Sequence, residues 1–258
     1  MNDLLAQMLQ AVGLSQSWFW AAALVFLRVG AFMALMPAFG EQVVPQRVRL
    51  VLALSFTAVV LPAVAGAMQD LPQLPLAALQ EVLAGLALGL GLRLFILALQ
   101  TAASIVAQTT SLAELFAGST PDPQPAIGNL LTLASLALAV EAGLHVRAAR
   151  MLVMSYDFWP AGRFPSAADM AQWGLQRVVD CTVLALSLAA PFVIASIIYN
   201  VALGVINRAM PQMPTSLVGA PVLTGGALIL MAVASPLILV IWLQGFNAFL
   251  SNPTLASP

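Results

Sequence analysis

The chain has 258 residues, of which 61% are hydrophobic and only 7% are charged, and its mean hydropathy is +0.98. A soluble domain carries roughly 25% charged residues because its surface faces water, so this composition excludes an ordinary soluble protein and predicts a membrane protein. The formal net charge of −1 offers no basic surface to nucleic acid, and the single cysteine cannot form a disulfide within the chain.

Six apolar tracts follow one another along the chain. Each is long enough for a membrane-spanning helix, which needs about 20 mostly apolar residues. The predicted fold class is therefore all-α, a polytopic membrane-type helical protein. In chain order the tracts cover residues 18–36, 48–68, 74–116, 127–156, 178–206 and 217–250.

Two of these tracts are too long for one upright span. At a rise of 1.5 Å per residue, a helix over residues 74–116 would be about 60 Å long and one over residues 217–250 about 50 Å. The hydrocarbon layer is only about 30 Å thick. Each tract therefore either breaks into a hairpin or extends beyond the bilayer within a protein assembly. Pro191 and Pro236 interrupt two of the later tracts and predict kinks there.

The connection between the fourth and fifth tracts carries signals for a helix start and for a membrane boundary. Ser166 and Asp169 have the spacing of a capping box, which predicts a helix that begins near Ala167. Trp159 and Trp173 flank this connection, and such rings favour the boundary between membrane and water.

Several ionisable side chains lie inside or at the ends of apolar tracts. At the bilayer centre each charge costs about 2.5–3.5 kcal/mol, so these residues must be paired, hydrated or buried in protein. Their role is either an ion or proton path or structural pairing within or between subunits, and pairing is the commoner of the two. Glu141 and His145 are spaced i,i+4 and would share one helix face. The residues concerned are Arg28, Glu81, Arg93, Glu141, His145 and Arg147.

Gly85 and Gly89 form a stripe of small residues, spaced i,i+4, in the third tract. Such a stripe lets two membrane helices approach closely. The alternative is that these glycines have no packing role, because membrane helices tolerate glycine generally.

The end of the third tract turns polar and then apolar again. Gln108 and Ser111 would suit a wet channel lining, and the bulky groups at Leu112, Leu115 and Phe116 could close the channel by excluding water. The alternative is an ordinary helix end that leads into a solvent-exposed loop.

The sequence contains no nucleophile paired with a base, no glycine-rich phosphate loop and no spacing typical of metal ligands. We therefore expect no enzymatic activity, no cofactor and no metal.

Three strings, in chain order, resemble the FliR family of flagellar type III export-gate subunits. The first is VPQRVR at residues 44–49, which contains Arg47 and Arg49. The second is the glycine-rich tract that starts at Gln80 and Glu81. The third is NRAMPQ at residues 207–212, which contains Asn207 and Arg208. The resemblance covers nearly the whole chain and treats residues 1–258 as one export-gate domain.

The resemblance implies a subunit that forms, with FliP and FliQ homologues and an FlhB homologue, a protein-conducting channel in the bacterial inner membrane at the flagellar basal body. Its substrates would be unfolded flagellar proteins, and its fold would consist of kinked helices and inverted hairpins within a helical hetero-oligomer. The family's apolar loop, which plugs the closed pore, maps onto the stretch around Leu112, Leu115 and Phe116, and the polar residues Gln108 and Ser111 precede it on the entry side. Residues expected in subunit packing or charge pairing are Arg28, Arg47, Arg49, Glu81, Gly85, Gly89, Arg93, Glu141, Asn207 and Arg208.

Three alternatives stay open at this point. The first is the SctT subunit of virulence type III secretion, which is the counterpart of FliR. The second is a secondary transporter, which would need a midplane site built from broken helices in corresponding halves of the chain. The third is a membrane scaffold without a pore.

Overall fold

A computed structural model describes residues 16–41, 43–68, 74–111, 126–163, 166–209 and 215–254. Within these ranges the chain is helical and has no β-strand, so the predicted all-α class is confirmed. The α-helices are α1 (Gln16–Leu35), α2 (Gln46–Val64), α3 (Leu74–Ser111), α4 (Ala126–Glu141), α5 (Leu144–Phe158), α6 (Ala167–Ala209) and α7 (Thr215–Ser251). A short 3-10 helix, Ala65–Met68, follows α2.

Five of the described helices, α1, α2, α3, α6 and α7, are long and apolar enough to cross a membrane. A sixth span results if α4 and α5 together count as one bent span. These lengths and compositions confirm the prediction of a polytopic membrane protein.

The two overlong tracts do not break into hairpins in the described residues. Helix α3 runs unbroken for 38 residues and α7 for 37 residues. Pro191 and Pro236 likewise do not end their helices, because α6 and α7 continue past them. At 1.5 Å per residue, α3 is about 57 Å long, nearly twice the hydrocarbon thickness of about 30 Å.

The fourth predicted tract is two helices rather than one. Helices α4 and α5 are bent by 72° relative to each other. Gly143, just before α5, has a φ of +82°, a left-handed conformation that glycine adopts without steric cost. Glu141 ends α4 whereas His145 belongs to α5, so the prediction that they share a helix face is wrong.

Helix α5 is amphipathic, unlike the tracts around it. It buries Leu144, Ala148 and Met151 against its own chain, whereas Arg147 and Arg150 are exposed. A charged face of this kind suits water or a polar partner rather than lipid tails. The bend at Gly143 therefore separates an apolar helix from one that presents charge.

The connection into α6 begins as the sequence predicts. The backbone N–H of Asp169 donates to Ser166 Oγ at 3.1 Å, and Ser166 Oγ lies 2.7 Å from Asp169 Oδ2. Helix α6 starts at Ala167. The ring of Trp159 is buried in the protein and packs edge-to-face against Trp173 at 5.4 Å. The membrane-boundary location of this connection stays a prediction.

The chain divides into two compact units. The first comprises Met1–Leu94, Val140–Arg177 and Asn247–Pro258, and its core includes Val29, Phe32 and Met151. The second comprises Phe95–Ala139 and Val178–Phe246. In the second unit, Trp242 stacks on Phe246 at 4.8 Å and donates from Nε1 to the carbonyl oxygen of Phe95 at 2.8 Å.

Candidate functional site

Arg28, near the middle of α1, is a buried charged residue, with only 1% of its surface exposed. Its guanidinium binds the carboxylate of Glu81 in α3 through two parallel bonds. Nε lies 2.7 Å from Oε2, and Nη2 lies 3.0 Å from Oε1. This two-pronged geometry is the strongest form of an arginine–carboxylate pair. Glu81 is also fully buried, so the two charges neutralise each other inside the protein.

Helix α5 and the residue after it complete the cluster. Arg28 donates from Nη1 to Ser155 Oγ and from Nη2 to the carbonyl oxygen of Trp159, both at 2.9 Å. Tyr156 donates its hydroxyl to Glu81 Oε2 at 3.1 Å, and its ring lies 3.7 Å from the carbon at the centre of the guanidinium. We call these five residues, Arg28, Glu81, Ser155, Tyr156 and Trp159, the buried charge cluster.

The cluster satisfies every nitrogen of the arginine side chain. Nε, Nη1 and Nη2 each have at least one acceptor, and the Ser155 hydroxyl donates to the carbonyl oxygen of Leu152 at 2.6 Å. A buried ion pair is tolerated only when such additional hydrogen bonds offset its desolvation. The cluster therefore joins α1, α3 and α5 at one point.

Close approach of α1 and α3 is what lets the short Glu81 side chain reach Arg28. Glu81, Gly85 and Gly89 follow at intervals of four residues and lie on one face of α3. A Cβ atom added to Gly85 would collide with the backbone carbonyl oxygen of Arg28, and one added to Gly89 would lie 2.8 Å from that of Phe32. The glycines thus leave room for the backbone of α1.

The buried charge cluster links helices α1, α3 and α5 through hydrogen bonds and an ion pair, and it exposes no reactive group to solvent. Among the residues that the structure describes, no three histidine, cysteine, aspartate or glutamate side chains form a group that could hold a metal ion.

The other predicted charges lie elsewhere. Arg47 is exposed in the first turn of α2. Arg49 donates from Nε to the carbonyl oxygen of Val44 at 3.0 Å and from Nη2 to that of Glu41 at 2.8 Å, which closes the turn before α2. Glu141 is exposed at the end of α4.

Arg93 is half-buried midway along α3 and forms no hydrogen bond or ion pair with another described residue. Asn207 lies in the last turn of α6, where Arg208 is exposed. A positive charge in the last turn of a helix is stabilised by the negative end of the helix dipole.

The predicted pore loop lies largely outside the described residues. Gln108 is exposed near the end of α3, and Ser111 is the last residue of that helix. Leu112, Leu115 and Phe116 lie beyond the described range.

Comparison with known proteins gives consistent matches over almost the whole chain. Residues 19–249 match the model of a family described as bacterial export proteins, family 1. The flagellar biosynthetic protein FliR of Caulobacter vibrioides is 33% identical over 239 residues, which cover 90% of this chain and 94% of that protein. FliR of Escherichia coli is 30% identical over 86% of this chain and 85% of its own length. FliR of Bacillus subtilis is 27% identical over 86% of this chain and 89% of its own length.

Proposed function

The chain belongs to the FliR family of bacterial export proteins, and from this premise we propose that it is a non-enzymatic subunit of a protein-conducting membrane channel. Membership confirms the resemblance drawn from the three sequence strings. It makes the chain a membrane component of the flagellar export apparatus. The three relatives described above are all flagellar, which favours flagellar export over virulence secretion.

The observation that carries the channel proposal is the length of the apolar helices. The apolar window of α3, Pro75–Gln108, has 34 residues, and that of α6, Ala167–Ile206, has 40. At 1.5 Å per residue they measure about 51 and 60 Å. To fit inside about 30 Å of hydrocarbon they would need tilts of roughly 55–60°, beyond the usual range of about 0–40°. Lipid alone therefore does not cover them, and other apolar protein must.

The exposed faces of the helices support the same conclusion. Apolar side chains stand exposed on α2, α6 and α7, among them Val59, Ile198 and Val233. Contiguous exposed apolar surface marks contact with membrane or protein. We propose that FliP and FliQ homologues cover these faces in the inner membrane at the flagellar basal body, joined by an FlhB homologue.

Within that assembly we propose that the end of α3 borders the pore. Gln108 and Ser111 would line its entry, and Leu112, Leu115 and Phe116 would narrow it against ions until an unfolded substrate displaces them. Uncharged polar groups hydrate a pore, and bulky apolar groups close it by dewetting.

The subunit proposal is tested by purifying the full chain alone and together with the FliP and FliQ homologues of the same bacterium. We expect a single stable complex in detergent for the co-expressed proteins and aggregation of the chain alone, because its apolar helices are longer than a detergent belt. A monodisperse chain that binds neither homologue would contradict the proposal.

The pore loop is tested by replacing residues 112–116 with glycine in the assembled complex. We expect at least a tenfold rise in ion conductance across a planar bilayer, because glycine removes the bulky groups that exclude water. The control replaces residues 119–123, Ser-Thr-Pro-Asp-Pro, with glycine and should leave conductance unchanged, because this segment has no bulky apolar side chain. If both variants conduct like the unmodified complex, the loop has no gating role.

A further inference from the structure

Helix α3 presents a regular exposed stripe on the side away from the buried charge cluster. Its large exposed apolar side chains are all leucines, between 37% and 56% exposed, and Arg93 fills the one gap in their spacing. Successive members are alternately three and four residues apart, which is the heptad spacing of helices that pack as coiled coils. We call this set the α3 seam: Leu76, Leu79, Leu83, Leu86, Leu90, Arg93 and Leu97.

The opposite face of α3 is already occupied by its own chain. Glu81 belongs to the buried charge cluster, Gly85 and Gly89 lie against the backbone of α1, and Leu88 and Leu92 are fully buried. The α3 seam is therefore the face of this helix left for contact outside the chain.

Neither lipid nor water can cover the α3 seam alone. Lipid tails would cover the leucines, but a guanidinium surrounded by them would lose its hydration without gaining a counterion. Water would solvate Arg93 but would leave six leucines exposed along one stripe. Arg93 lies between Leu90 and Leu97 on the same stripe, so any surface that covers these leucines also covers the guanidinium.

We propose that the α3 seam binds a helix of another subunit, which presents apolar side chains at heptad spacing and one aspartate or glutamate level with Arg93. The leucines would interlock with that helix as knobs into holes. A carboxylate opposite Arg93 would supply the charge that the described part of this chain does not supply. A single charged position in an apolar seam also fixes the register of the two helices, because any slip separates the opposite charges. The inference deepens the proposed function by stating the chemistry of one partner.

The first test uses photo-crosslinkers placed separately at Leu90 and Leu97 in the full chain, irradiated in membranes of the native bacterium. We expect both positions to give adducts with one and the same protein, and the linked peptides to lie in one apolar helix that contains an aspartate or glutamate. A crosslinker at Leu237 of α7, which is also exposed, measures the background of lipid adducts. Adducts to lipid only, or only to residues 112–125 of the same chain, would overturn the inference.

The second test changes the charge. We expect Arg93→Glu to lower the amount of crosslinked partner that co-purifies by at least tenfold, and Arg93→Leu to lower it as well, because each leaves the partner's carboxylate buried without a counterion. Exchange of that carboxylate for arginine should restore at least half of the yield with Arg93→Glu. The matched control, Arg147→Glu on the exposed face of α5, should change nothing. Full yield with Arg93→Leu would count against a charge pair.

The two proposals fail separately. Binding to FliP and FliQ homologues combined with lipid-only adducts at Leu90 and Leu97 would remove the seam and leave the export-channel role. Adducts to one acidic apolar helix of some other protein, without binding to those homologues, would keep the seam and remove the channel assignment.

Discussion

Arg28→Met should destabilise the protein more than the double change Arg28→Met with Glu81→Met. The single change leaves the fully buried Glu81 carboxylate without its cation, and breaking a buried pair in this way costs about 3–5 kcal/mol. The double change removes both charges, and replacement of a whole buried pair by apolar groups is often neutral. Thermal unfolding of the purified complex, followed by tryptophan fluorescence, measures both.

A matched control for this pair is Tyr156→Phe. It keeps the ring over the guanidinium but removes the hydroxyl that donates to Glu81. A hydrogen bond to a charged group contributes about 1.5–3 kcal/mol, so this change should cost less than Arg28→Met. If the single and double methionine variants unfold at the same temperature, the ion pair does not hold α1 against α3.

Gly85→Ala should also destabilise the protein, and by more than the addition of one methyl group usually does. The added Cβ would collide with the Arg28 carbonyl oxygen, which is backbone and cannot rotate away. Overpacking of this kind costs about 1–3 kcal/mol and occasionally more. The shift of α1 would also pull Arg28 away from Glu81. The measurement is the unfolding temperature of the complex, combined with its yield.

The control for the glycine prediction is Gly204→Ala in α6. Apart from the nearby backbone of α6 itself, no atom of the residues that the structure describes lies within 4 Å of a Cβ at that position. Alanine is favoured over glycine inside a helix by about 1 kcal/mol, so this variant should be as stable as the original or slightly more so. An equal loss of stability in both glycine variants would mean that the close approach of α1 and α3 is not what matters.

Most of the helical architecture could be predicted because each membrane helix corresponds to a long run of apolar residues in the sequence. Arg28 and Glu81 stood out for the same reason, since a charge in an apolar run is costly and needs an explanation. The residues that bind Arg28 and Glu81 could not be identified from the sequence. Ser155 and Tyr156 are ordinary residues of an amphipathic helix, and Ser155 lies 127 residues from Arg28. Periodicity shows which face a residue occupies but not which helices meet.

The break at Gly143 and the α3 seam were missed for different physical reasons. Glycine is common in membrane helices, so one glycine does not mark a bend. The change from an apolar helix to one that carries Arg147 and Arg150 was the usable signal. The seam was hidden because α3 is apolar on nearly every side. Heptad spacing becomes visible only when burial separates the leucines that face the chain from those that do not.

The chain order of the buried charge cluster has a consequence for biosynthesis. Glu81 follows Arg28 by 53 residues and Ser155 follows it by 127. At about 5–20 residues per second, the ribosome delivers Glu81 roughly 3–10 s after Arg28, and Ser155 roughly 6–25 s after it. For those seconds the first helix carries a guanidinium whose eventual counterion has not yet been synthesised. Because a lone charge in lipid costs about 2.5–3.5 kcal/mol, we expect this helix to stay near water until the third helix arrives.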